Sequence, residues 1–532
     1  MTPERFNACE WLVDRHVTSG GADITAFVCR GEELSYGQLL RAVHSVANGL
    51  LGLGCGSGDR VLMVVDDEPA FAVVFLAAMR VGAVPVPVST MLRPGEIAPL
   101  ASDSAARVLA CSPRHAEGAA AIIAGSAVAD LVITDPPGVD GRSRPAPPAG
   151  TRVHRLSDWT DSTPVPPAGT GPDSEALWLY TSGTTGSPKG AIHLHRDLRA
   201  VAETYAATVL GIGPGDLCYS VAKLFFAFGL GNALIFPLAA GAGAVLDPDP
   251  PTPARVAELA ARHRPTLFFA PPGFCAALAD SDVPADILAS ARATVTAGEV
   301  LPEEVQRRFQ ARFGTEMLDG IGSTEALHIF CSNHPGRGRA GTSGQPVAGY
   351  QLKLLDEDGT EITGSDTAGA LWVRGPSIAA GYWQRPELNA ETFVDGWLRT
   401  GDFYLRSDDG YYRFVGRNSD MIKAGGIWVS PAEVESVLLE HPAVLEAAVI
   451  GSRDHSGLET TVAFVVPRRG ATIATDDLLR HCRESMASFK RPREIHVVTG
   501  LPRTATGKVK RFELRATLSG AAGSTPSPVG PS

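Results

Sequence analysis

Residues 179–195 read LYTSGTTGSPKGAIHLH, an apolar run that passes directly into a loop of Ser, Thr and Gly, then a lysine and a second apolar run. Few structures use such a segment. Glycines let backbone amides close on an anion, hydroxyls donate further hydrogen bonds, and Lys189 adds a positive charge, so the loop is suited to cradling phosphate. It is not a Walker A loop, because Pro188 stands before the lysine where that motif has glycine. A phosphate loop fed by a strand calls for an α/β chain, and the flanking sequence has that pattern.

Residues 34–53 place apolar side chains at helical spacing and stop at Gly52 and Gly54. DRVLMVVDD then predicts a buried strand, EPAFAVVFLAAMRVG a helix and AVPVPVS another strand, the succession of parallel α/β layers. The alternation returns over residues 244–246, 254–262 and 266–270. Pro, Gly and Ser dominate residues 136–173, which predicts an irregular surface connection. After Gly341, short alternating runs such as YQLKLLDEDG, GALWVRG and GYYRFVG predict antiparallel β structure. Beyond Gly416, helix and strand return in a unit of about 100 residues. The expected architecture is α/β multidomain. Residues 1–416 form a large N-terminal domain of layered α/β subdomains plus a β-rich subdomain, 417–516 a small α+β C-terminal domain, and 517–532 a disordered tail.

Length and charge narrow the function. With 532 residues, 44% of them apolar, the chain can bury large cores, and disorder throughout is excluded. Its 47 basic and 58 acidic residues give 47 − 58 = −11, which argues against nucleic acid as the main partner. Eight cysteines without a CxxC pair suggest neither a zinc site nor a disulfide framework, and fit a cytoplasmic protein. MTPERFNACEW carries Glu4, Arg5 and Glu10 where an export signal needs an apolar stretch. Residues 224–246 lack any charge, but Gly229, Gly231, Asn232, Pro237, Gly241 and Gly243 interrupt them. A buried helix turning into a buried strand is expected there, not a membrane span.

The loop at residues 179–195 resembles the signature of the acyl-adenylate-forming superfamily, and further motifs of that family follow in order, from FNACEWLVDRHV to PRTATGKVKR. In such enzymes a carboxylate attacks the α-phosphorus of ATP, pyrophosphate leaves, and a thiol then displaces AMP. The resemblance implies nucleotide contacts from Thr181, Ser182, Gly183, Thr184, Thr185, Gly186 and Lys189. In DGIGSTEALHIF it implies that Thr324 contacts phosphate and that Glu325 helps hold Mg2+, an ion satisfied by one protein carboxylate plus waters. Ala297, Gly298 and Glu299 resemble the segment lining adenine. In WLRTGDFYLRSDDGYYRFVGR, Asp402 matches the aspartate that binds the ribose hydroxyls, with Arg417 closing the same stretch. Lys508 in LPRTATGKVKR takes the position of the lysine that bridges carboxylate and phosphate during adenylation. Nine Lys/Arg stand against three Asp/Glu over residues 481–515, a positive patch that would draw ATP and coenzyme A phosphates. GRNSDMIKAGGIWVSP resembles the hinge on which a mobile small domain turns. Ser419 departs from the family's usual Asp or Lys there, and Gly425 and Gly426 resemble the residues that let pantetheine pass.

For the acid, AKLFFAFGLGN, STEALHIFCSN and GIWVSP resemble the benzoate-CoA ligase branch most closely. Ala227, Phe228, Gly322, His328 and Ile329 are the implied substrate-lining residues. No acidic side chain stands in the first segment to neutralise an ammonium, which disfavours an amino acid. Phe228 replaces the expected Tyr, so a substituted benzoate such as salicylate, another hydroxybenzoate or anthranilate fits as well as benzoate. His328 either hydrogen-bonds a ring substituent or fills the pocket edge. The expected activity is an AMP-forming aryl-CoA ligase, monomeric or homodimeric. A ligase that loads a carrier-protein pantetheine and a non-catalytic nucleotide-binding protein are the alternatives.

Overall fold

The computed structural model of the chain describes residues 5–134, 150–182, 188–417, 420–424, 427–453, 459–503 and 509–521. Helix Tyr36–Gly52 begins with a capping box: Ser35 accepts the Gln38 N–H and Gln38 accepts the Ser35 N–H. Its stripe of Leu39, Val43, Val46, Ala47 and Leu50 is buried, as the helical period requires. Helix Pro69–Arg80 is buried on nearly every side because it lies within the core rather than on it. Around these helices Val84–Pro87, Arg60–Val64, Val108–Cys111, Asp130–Ile133 and Arg152–Arg155 form a parallel sheet in that order. Arg152–Arg155 lies inside the stretch expected to be irregular; its pairing with Asp130–Ile133, sealed by an Arg152–Asp130 ion pair of 2.7 Å, recruits it as an edge.

The largest sheet has nine strands. Its central strands Gly243–Leu246, Leu217–Ser220, Leu267–Phe269, Ala293–Thr296 and Met317–Gly322 run parallel, with registers such as Cys218↔Leu267 and Thr294↔Met317. Four consecutive buried residues in Ala293–Thr296 reflect coverage on both faces. The uncharged stretch folds as expected. Helical turns cover Ala227–Leu230, Gly231–Ile235 and Phe236–Ala240, Gly241 takes a left-handed cap, and the chain enters strand Gly243–Leu246. Among the described residues no helix is long and apolar enough to cross a membrane.

The runs after Gly341 form a five-stranded antiparallel sheet of Gln351–Leu355, Gly369–Arg374, Trp397–Arg406, Phe393–Val394 and Tyr412–Arg417. Beyond it, Val444–Arg453, Glu459–Pro467 and Glu494–Val497 make a separate sheet covered by helices Pro431–Glu440, Thr475–Ser485 and Arg511–Ala521. The apolar clusters divide at the same place: those built from residues 6–414 share no member with those built from residues 422–518. Helix Arg511–Ala521 corrects the expected start of the tail at residue 517, because Leu514 and Leu518, one turn apart, pack on Ala448, Ile450 and Phe464. Residues 522–532 lie outside the described residues.

Candidate active site

Four neighbouring parallel strands end on one rim of the large sheet, and three of them deliver segments singled out in the sequence. Leu217–Ser220 leads to the Phe225–Phe228 run, Leu267–Phe269 to Gly273, Ala293–Thr296 to Ala297–Gly298–Glu299, and Met317–Gly322 to Thr324 and Glu325. Carboxyl ends of parallel strands are where open α/β sheets bind ligands.

Facing this rim is the antiparallel hairpin Glu175–Ser182 and Pro188–Leu194, in which Thr181 pairs with Lys189 and Ser182 with Pro188. Gly183, Thr184, Thr185 and Gly186, which separate the two strands in sequence, lie outside the described residues. Strand Gly381–Tyr382 adds to the hairpin edge and brings in Tyr382, a residue that the sequence did not single out. The Lys189 ammonium lies 4.5 Å from the centre of the Tyr382 ring, a cation–π contact, while the Tyr382 hydroxyl donates to Glu325 Oε1 at 2.7 Å. Burial, then the Glu325 charge, raises the Tyr382 phenol, so it remains a donor. One aromatic side chain thus ties Lys189 to the carboxylate of the facing turn.

That turn is held through its carbonyls. Thr324 O accepts from His193 Nε2 at 2.8 Å, Glu325 O from the Ala379 N–H at 2.8 Å, and Ala326 O from the Ser377 hydroxyl at 2.6 Å. Ser323 caps the turn by accepting the Ala326 N–H.

Gly298 has a φ of +93°, which bends the chain so that Glu299 turns back and accepts the Gly273 N–H at 3.0 Å. Glu299 also meets Arg503 of the small domain at 3.4 Å, and Arg503 reaches Glu446 at 2.8 Å. Asp402 and Arg417 stand opposite one another on adjacent strands of the β-rich sheet, with Arg417 Nε 3.0 Å from Asp402 Oδ1. They pair with each other rather than with the Thr324 turn. Lys508, Ser419, Gly425 and Gly426 lie outside the described residues.

The aromatic end is built around His328. Its ring is buried, 4.5 Å from Phe236 edge-on, 5.4 Å from Tyr205 and 5.6 Å from Phe228, and its Nε2 lies 3.3 Å from Phe228 O. Burial pushes its imidazole down to about 3, so it is neutral near pH 7 and plays no charged role. Two glycines make the packing possible: a Cβ on Gly231 would sit 2.3 Å from His328 Cδ2, and one on Gly322 would sit 2.4 Å from His328 O. Ile329 pairs with Gly322 and is buried, while Ala227 and Phe228 remain half-buried.

Asp67, unnoticed in the sequence, anchors this segment. Both of its oxygens lie within 3.2 Å of the Leu224 N–H, and Lys223 beside it donates to the Asp249 carbonyl at 2.8 Å. Burial, only partly offset by Lys223 and the Leu224 N–H, pushes the Asp67 carboxyl up to about 7. The folded chain therefore keeps a proton that the unfolded chain has released, and stability falls as pH rises from the ordinary 3.8 to about 7. Asp67→Asn, which cannot ionise, is expected to stabilise the protein at pH 8 by on the order of 2 kcal/mol, with the gain shrinking towards pH 4. Thermal melts across that range check it, and an unchanged pH slope would contradict it.

The chain matches the AMP-binding enzyme family over residues 13–383 and the AMP-binding enzyme C-terminal domain over residues 433–508. It is 45% identical over 520 residues to the benzoate–CoA ligase of Thauera aromatica, covering 97% of this chain and 96% of that one. A benzoate CoA ligase from Burkholderia xenovorans LB400 superposes with a TM-score of 0.87 at 39% identity, covering 96% of this chain and 100% of that one. The anthranilate CoA ligase AuaEII in complex with anthranoyl-AMP superposes with a TM-score of 0.91 at 37% identity, covering 98% of each chain.

Proposed function

Since the chain belongs to the AMP-binding enzyme family, we propose that it is an aryl-acid CoA ligase that activates benzoate or a substituted benzoate. The observation that carries this reading is the packed His328–Phe228–Phe236 aromatic cluster beside the Thr324–Glu325 turn. ATP is the first co-substrate and coenzyme A the second.

The aryl carboxylate is already ionised and needs no base. Its oxygen bonds to the α-phosphorus as pyrophosphate departs, and negative charge grows on the phosphate oxygens. Catalysis then rests on placing compensating groups where that charge appears. Lys189 and the amides and hydroxyls of its loop face the phosphates, the Thr324 hydroxyl donates from the opposite side, and Lys508 from the small domain bridges carboxylate and phosphate. Asp402 holds the ribose and Ala297–Gly298–Glu299 lines the adenine. Glu325 suits a hard cation: among the described residues only Oε1 is engaged, by a neutral phenol, and the other oxygen remains for Mg2+, which would screen the triphosphate charge. In the second step the thiol sulfur of coenzyme A bonds to the acyl carbon and AMP leaves.

Residues 1–416 form the adenylating body in this reading and the small domain turns on Ser419 between the two steps, with Gly425 and Gly426 beside the pantetheine path. A pyrophosphate-release screen with benzoates, cinnamates and medium-chain fatty acids, coenzyme A present, tests the proposal. Benzoate, hydroxybenzoates or 2-aminobenzoate are expected to lead, giving AMP rather than ADP. A preference for fatty acids would overturn the ring-pocket reading. Transfer to a phosphopantetheinylated carrier but not to coenzyme A would change the acceptor.

A further inference from the structure

His193 and Asp197 are buried with no accessible surface, and nothing in the reaction described above uses them. His193 lies on strand Pro188–Leu194, four positions after Lys189, and Asp197 in the first turn of helix His195–Val201. The two ring nitrogens face two acceptors. Nδ1 is 3.0 Å from Asp197 Oδ2 and Nε2 is 2.8 Å from the Thr324 carbonyl. A carbonyl can only accept, and so can an ionised carboxylate. Nε2 therefore donates to the Thr324 carbonyl, and the Nδ1–Oδ2 contact is a hydrogen bond that holds one proton between ring and carboxyl, so the pair has no net charge on whichever side that proton lies. Net neutrality is what burial demands, since an uncompensated charge in this place is strongly destabilising. Asp197 Oδ2 also accepts the Leu194 N–H at 3.0 Å, which fixes the carboxylate, and the Arg196 Nε lies 3.7 Å from Oδ1.

The placement matters more than the charge. The strand that carries His193 is the one that leaves the phosphate loop, and the carbonyl it grips belongs to the turn on the other side of the triphosphate. A parallel line reaches the same turn, from Tyr350 through Ser377 to the Ala326 carbonyl. We propose that His193, balanced by Asp197, is a positioning residue for adenylation: it locks the Thr324–Glu325 turn to the phosphate-loop strand, so that the two sets of phosphate-facing groups keep one spacing. This rests on the roles given above to Thr324 and Glu325.

The test compares the parent enzyme with His193→Gln, which retains an N–H donor, and with the double variant His193→Phe/Asp197→Asn, which removes the link without leaving a lone carboxylate. Two readouts are taken with ATP and benzoate: kcat and KM for acyl-adenylate formation, and thioester formation from supplied benzoyl-AMP. The double variant is expected to fold, to lose about tenfold or more in adenylation kcat, and to keep both the benzoate KM and the thioester step within about twofold. His193→Gln is expected to recover most of the loss. Parent-like kcat in the folded double variant, or equal losses in both half-reactions, would overturn the proposal. Thr324→Ala and Glu325→Gln run alongside. If they too leave adenylation intact, the site reading fails and this inference with it; if they abolish adenylation while the His193 variants do not, this inference alone fails.

Discussion

Lys508→Ala is expected to slow acyl-adenylate formation by at least about a thousandfold, near 4 kcal/mol of barrier, while thioester formation from supplied acyl-adenylate survives. Lys508 lies outside the described residues. On either side of it in sequence, Arg503 and Val509 form an antiparallel bridge, and the Lys510 N–H donates to Pro502 O at 2.8 Å. Arg503 also meets Glu299 of the large domain, just past the carboxyl end of strand Ala293–Thr296. Separate assays of pyrophosphate exchange and thioester formation check the outcome. Equal losses in both would mean that the substitution damages the fold rather than one step.

The second large effect concerns Asp402→Asn. An ionised carboxylate can accept a hydrogen bond from each ribose hydroxyl, and charge-assisted bonds contribute about 1.5 to 3 kcal/mol each. Asparagine retains the shape but offers one acceptor and no charge, and it leaves Arg417 without the partner now 3.0 Å away. The ATP KM is expected to rise on the order of a hundredfold while the KM for the aryl acid stays within about twofold. Steady-state kinetics with each substrate varied in turn decide it. An unchanged ATP KM would remove Asp402 from the nucleotide site.

The features legible in the sequence were those written in consecutive residues. The parallel layers are legible in apolar runs bounded by turns, and the β-rich region in two-residue alternation. What stayed hidden depends on residues far apart in the chain meeting in space. Asp67 and Leu224 are separated by 157 positions, and His193 and Thr324 by 131. Nothing local marks Asp67 as an anchor, because DDE before a helix reads equally as a solvated cap. Tyr382 gave no signal either, since a lone GYW after a turn carries no period. The first turn of the expected tail is not legible as helix, because Gly and Ser after Leu518 outweigh the Leu514–Leu518 spacing, which acquires meaning only once a sheet lies beneath it. That Gly231 and Gly322 must lack a side chain follows only from where His328 comes to rest.

Asp280 is shared by Arg308 of its own domain and Arg468 of the other, at 2.5 and 2.8 Å, and no apolar cluster bridges the seam among the described residues. Detachment there uncovers groups that water solvates readily instead of oily surface. Partly exposed ionic links of this sort contribute roughly 0–1 kcal/mol each, close to thermal energy. The seam therefore behaves as a releasable catch: Asp280 stays neutralised when Arg468 departs, so letting go strands no acid, and added electrolyte should loosen the catch without melting either body.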